Sequence, residues 1–196
     1  MIDLIQDESV GIEQIAEFLD GLDHETRLGH LRGLNRGAQA KLYAKAKDAP
    51  KLTLADYAEE GAVVEHFGKN TLPLTKTFTF FSKVFCRAGD GGRLFGYNDS
   101  SVGGLIGPGY FVAYELTDEH AGWLDRGSLV IDYFQVPDGE VPEAWPPVVP
   151  NSKGLQRLVY HRTRDFMRRV STHASIGAAY KVDKAMGQYF TLCRAP

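Results

Sequence analysis

Residues 151–173 read NSKGLQRLVYHRTRDFMRRVSTH, and the conformation given to this stretch decides what the rest of the chain packs against. It carries six Lys/Arg and one acid, whereas the whole chain holds 22 bases and 25 acids for a net charge of −3. So concentrated a positive field favours anionic partners. At 100° per residue Leu155, Leu158, Val159, Phe166 and Val170 fall on one apolar stripe, so the stretch reads as an amphipathic helix over 153–169.

On that helix the bases divide into two sets. Arg157, His161, Arg164 and Arg168 lie nearly opposite the apolar stripe. They form either a solvated face or an interaction module for nucleic acid or an acidic protein. The row lacks interleaved aromatics for stacking bases, which favours the solvated face. Arg162 and Arg169, seven residues apart, border the stripe and are expected to point toward a sheet. A guanidinium cannot shed its charge on burial, so each needs a carboxylate, carbonyls, water or a bound anion.

The flanking strands offer carboxylates. In Ser128–Val136, Asp132 shares a face with Val130, Phe134 and Val136; in Tyr110–Leu116, Glu115 shares one with Phe111 and Ala113. The cluster is read either as an internal ion-pair network or as a clamp on a small anionic or polar ligand held between helix and sheet. For the clamp the candidate ligand-binding residues are Arg162, Arg169, Asp132 and Glu115, with Tyr110 and Tyr133 as polar points on an aromatic wall. His173 alternates with Ser171 and Ser175 and is the candidate general base, oriented by Asp132; whether the chain is an enzyme stays open.

Working outward, the first 48 residues read as a helical pair. Ile12, Ile15, Leu19 and Leu22 recur at helical spacing. Asp23 is the expected N-cap of a longer second helix with Leu28, Leu31, Leu34, Ala38 and Leu42 buried. Gly29, Gly33 and Gly37 repeat every four residues inside it. This implies close packing against a neighbouring element, self-association, or a break near Gly33. A short helix at Leu54–Glu60 and an irregular approach through Gly68 and Pro73 lead into strands at Thr77–Arg87, 93–98, Tyr110–Leu116 and Ser128–Val136. AGDGG at 88–92 is the first hairpin turn, and Gly107-Pro108-Gly109 a tight turn placing Tyr110 at a strand start. Residues 137–150 hold five of the nine prolines and are expected to be a strap over a sheet edge or a lid. A last hairpin, Val170–Lys181 and Met186–Arg194, turns at Val182–Ala185.

The expected fold is therefore α+β: an N-terminal helical region over 1–74, then a curved antiparallel sheet or partly closed barrel over 75–196 with one helix packed on it. The glycine-rich run at 103–109 lacks the ending of a phosphate loop. Six histidines without recognised ligand spacing and only two cysteines, Cys86 and Cys193, lead to no expected metal, and no feature names a cofactor. The acidic start, MIDLIQDESV, has no basic leader, and no apolar run reaches the roughly 18 residues of a membrane span. A reduced, cytoplasmic protein without membrane partners is expected.

Overall fold

The computed structural model describes residues 1–71, 79–99 and 107–196. Pro73, the start of the expected strand at Thr77–Arg87, and residues 103–106 of the glycine-rich run lie outside them. The chain forms a closed, eight-stranded antiparallel barrel preceded by helices. The strands are β1 (Val63–Asn70), β2 (Phe80–Arg87), β3 (Leu94–Asp99), β4 (Tyr110–Glu115), β5 (Leu129–Asp132), β6 (Thr163–Arg169), β7 (Ala174–Lys181) and β8 (Lys184–Arg194). Each pairs with the next, and β8 returns to β1 through His66–Arg194 to Asn70–Phe190, so every strand has two neighbours. The barrel begins at Val63, within the stretch read as the helical region 1–74.

The N-terminal helices are α1 (Ile2–Gln6), α2 (Ile12–Asp20), α3 (His24–Gly33) and α4 (Arg36–Lys45). Asp23 caps α3, its Oδ1 accepting from Thr26 N at 3.0 Å. The chain then breaks at Leu34, and Asn35 caps α4 through Ala38 N at 2.9 Å. The stripe Leu28, Leu31, Leu34, Ala38 and Leu42 is buried, although on two helices. With Ile12, Ile15 and Leu19 it covers the outer face of the barrel at Val170, Ala174, Ile176, Ala178 and Cys193. The break overturns the shared glycine face. A Cβ on Gly29 or Gly33 would meet nothing within 4 Å, and one on Gly37 only the Asn35 side chain, so no close packing explains them.

The main correction concerns residues 153–169. Only Gln156–Val159 is helical (α5), and 163–169 is β6, paired with β5 and β7. Strand geometry sends Phe166 and Met167 to opposite faces, and both are fully buried. Phe166 lies outside beneath Trp123 and Tyr180, whereas Met167 joins the barrel interior. A strand covered on both faces loses its alternation of apolar and polar residues, so its spacing imitates a helix. β1 was hidden differently: its buried positions are His66 and Gly68, neither of them an apolar side chain that marks a strand face. The hairpin turns are as expected: Ala88 O accepts Gly91 N at 2.9 Å, and Val182 and Asp183 adopt left-handed φ of 46° and 63° between β7 and β8. The proline-rich segment covers no sheet edge, because a closed barrel has none. It packs on the outer face, where Trp145 meets Tyr97 and Tyr110 and a hydroxyl–carbonyl contact joins Tyr110 to Pro146.

Candidate functional site

The barrel interior divides into two ends. Alternate residues of each strand point inward, so Phe85, Leu94, Phe111, Leu129, Ile131, Met167 and Leu192 fill its middle. One end is closed by residues 52–58: Leu52, Leu54, Tyr57 and Ala58 join the interior cluster. Tyr57 donates to Ser175 Oγ at 3.1 Å, and His66 Nε2 lies 3.0 Å from Tyr57 O. That contact places the His66 proton on Nε2, since a carbonyl can only accept. Burial holds the ring neutral and its pKa down to about 4.

The other end is polar. Lys83 of β2, Asn98 of β3, Tyr133 just after β5 and Asp165 of β6 all turn inward and are all buried. Lys83 Nζ donates to Asn98 Oδ1 at 2.7 Å and to Tyr133 OH, and stands 3.6 Å from Asp165 Oδ2. Asn98 Nδ2 donates to Gly109 O at 2.9 Å and to Tyr133 OH at 3.0 Å. Tyr160 stacks on Tyr133 with ring centroids 5.3 Å apart.

A repeated device surrounds the amine. Gly68, Gly96 and Gly177 sit directly across the ladder from Phe81, Phe111 and Phe190. A Cβ on any of the three would lie within 2.6 Å of the facing ring. Each glycine thus lets an aromatic ring lie against the wall, where a larger residue would push it toward the barrel axis. Lys83 Nζ stands 5.4, 5.2, 5.1 and 5.0 Å from the ring centres of Phe81, Phe111, Tyr133 and Phe190. Negative ring faces at these distances attract a cation.

Burial outweighs mutual attraction in the ionisable pair. It pushes Lys83 down to about 8 despite Asp165, and pushes the Asp165 carboxyl above its ordinary range despite Lys83. Both shifts favour the uncharged forms. The arrangement can donate to, accept from, or pass a proton to a polar group brought among them.

The residues singled out from the sequence are dispersed. Asp132 lies on the outer face directly across from Arg164, accepting its Nε at 3.0 Å and the Tyr114 hydroxyl at 3.2 Å. The Arg164 guanidinium is also sandwiched between Trp123 and Phe134, at 4.6 and 4.1 Å. Glu115 accepts from Leu54 N at 2.9 Å and meets neither arginine of the expected clamp. Arg169 pairs with Asp56 at 2.5 Å. Arg162 is exposed, with a left-handed φ of 62° in the turn before β6, so it does not point at a sheet. Tyr110 faces outward beneath the proline-rich segment.

His173 is exposed beyond the far end of β6, whereas Asp132 pairs near that strand's start, so the two do not form a relay. The basic row is also broken up. Arg157 is exposed on α5, His161 lies in the following turn, and Arg168 stacks on Tyr43 at 4.1 Å. Of the candidate residues legible in the sequence, only Tyr133 belongs to the polar cluster.

Lys83 did carry a signal in the sequence. In TFTFFSKVFCR it shares its parity with Phe81 and Phe85, a base flanked on its strand face by two aromatic rings, with Arg87 at the strand end. Asn98 stands directly across from Lys83 in the β2–β3 hairpin, so its place follows from the 88–92 turn, whereas Asp165 carried no signal because only barrel closure brings β6 to the same end.

The chain has no significant match to a protein-family model, a curated protein or a solved structure. Among the described residues no group of three His, Cys, Asp or Glu could hold a metal ion, and no helix is long and apolar enough to cross a membrane. Cys86 and Cys193 are free and buried.

Proposed function

We propose that the barrel interior binds a small molecule with a flat apolar body and a polar or anionic head, the head meeting Lys83 and Asn98. The observation that carries this reading is Lys83 itself, only 2% exposed, with its amine turned among Asn98, Tyr133 and Asp165. A buried pair of this kind is a poor source of stability, since well-packed apolar residues of the same volume do as well or better. Its donors and acceptors converge inside an eight-stranded barrel, a size that holds side chains or one small ligand. Aromatic rings laid against glycines give the barrel wall flat apolar surfaces around the amine. The ligand class is the one expected from the sequence, moved from a helix–sheet crevice to the interior.

Lys83, Tyr133 and Asp165 also have the composition of an acid–base site, and any catalysis is assigned to them in place of His173. Two buried free thiols accord with a reducing, cytoplasmic setting.

The test uses benzoate, benzamide and phenol, which share a ring and differ in the head. Saturation-transfer NMR and calorimetry would compare the native chain with Lys83→Met/Asp165→Asn, which removes both charges together and so avoids stranding one. Saturable binding to the native chain, weakened about tenfold or more in a folded variant, is expected. Silence of all three compounds, or equal binding by the variant, would overturn the reading.

A further inference from the structure

A second site lies outside the barrel, at the end of β6 away from the Lys83 cluster. A cleft of about 230 Å³ opens between residues 46–51, residues 124–128, and Arg168 and Arg169. Lys47, Lys51, Arg168 and Arg169 line it together with one carboxylate, Asp125. Arg169 has its own counter-ion in Asp56. Four positive and two negative charges leave an excess of two positive charges around the cavity.

The arginines are held ready for an anion. Arg168 Nη1 donates to Tyr43 O at 2.7 Å and Nη2 to Asp125 O at 2.6 Å, while the guanidinium stacks on the Tyr43 ring. Main-chain carbonyls and an aromatic face fix its direction without neutralising it. Among the described residues no carboxylate pairs with Arg168, Lys47 or Lys51. Arg169 Nε is buried without a hydrogen-bond partner, a costly state for a guanidinium nitrogen. Ser128 Oγ accepts from Leu52 N at 2.8 Å, which leaves its own proton to donate.

We infer that this cleft binds a small dianionic oxyanion, either inorganic phosphate or the phosphate group of a monoester. The charge excess matches a dianion, and planar guanidinium forks with a hydroxyl donor suit its oxygens. The cavity exceeds the size of one phosphate, so a compact esterified group also fits. This site and the interior site stand on different residues, and either can fail without the other.

The experiment is a ¹H–¹⁵N NMR titration of the whole chain with inorganic phosphate at constant ionic strength, with sodium chloride as control and glucose 6-phosphate as a parallel arm. Expected are saturable shifts at the amides of Lys51, Gly127 and Ser128, absent with chloride. Tighter response to glucose 6-phosphate would identify a monoester as the ligand, and tighter response to phosphate the free ion. Lys47→Gln/Lys51→Gln alters exposed side chains only, so it should fold unchanged and bind about tenfold more weakly. Arg168→Lys, which keeps the charge but loses the stacked fork, should weaken binding further. Shifts that fail to saturate, that chloride reproduces, or that persist unchanged in the lysine variant would overturn the site.

Discussion

Lys83 and Asp165 face each other inside the closed barrel, Nζ to Oδ2 at 3.6 Å, from strands β2 and β6 that share no ladder. They meet because the sheet closes, and neither has bulk water to fall back on. A charge stranded there is far more costly than the pair is stabilising.

Lys83→Met alone should therefore lower the unfolding free energy by about 3 kcal/mol near neutral pH, because Asp165 is left buried without its partner. Adding Asp165→Asn should recover most of the loss. The single variant should also regain stability as the pH falls and Asp165 takes up a proton. Denaturant unfolding at several pH values measures all three effects; a double variant no more stable than the single one would contradict the pairing.

His66 gives a separate pH dependence. Its folded pKa of about 4 lies below the ordinary 6.5, so between these values the unfolded chain binds a proton that the native ring refuses. Stability from this group is complete above pH 6.5 and declines as the pH drops toward 4, by about 3 kcal/mol across the window. Thermal unfolding from pH 7 to 4 should show the decline, and His66→Gln should flatten it. A slope unchanged in the variant would assign the acid sensitivity elsewhere.

The glycines divide into two groups with opposite expected effects. Gly96→Ala places a methyl 2.4 Å from the Phe111 ring and 2.5 Å from Val84 O, so a loss of about 2–3 kcal/mol is expected. Gly29→Ala and Gly33→Ala meet no neighbour within 4 Å and should each stabilise α3 by about 0.5–1 kcal/mol. Chemical denaturation of the three variants, with Gly177→Ala as a second barrel position, separates wall glycines from merely exposed ones.

Arg162 is held at a φ of 62°, a conformation unfavourable for most side chains and better tolerated by asparagine. Arg162→Asn should fold at least as stably as the native chain, by up to about 1 kcal/mol, and should leave benzoate and phosphate binding unchanged. A loss of binding on this substitution would return Arg162 to the role of ligand anchor.

The chain's local physics was legible where one face meets water. The Asp23 cap, the stripes of α2 to α4, the 88–92 turn and the hairpin at 182–183 follow from residues close in sequence, and so does the α+β order of elements. The sequence also contained Lys83 between Phe81 and Phe85 on one face of β2.

Tertiary structure alone decided β1 and β6. The centre of β6 is covered inside and out, which removes the alternation that marks a strand and makes Phe166, Met167 and their arginines resemble a helix, whereas β1 buries only His66 and Gly68. It also decided the partnerships of the bases that matter to the barrel: Arg164 with Asp132, Arg169 with Asp56, and Lys83 with Asp165. Those contacts depend on which strands the closing ladder brings together, and that information is spread over the whole barrel.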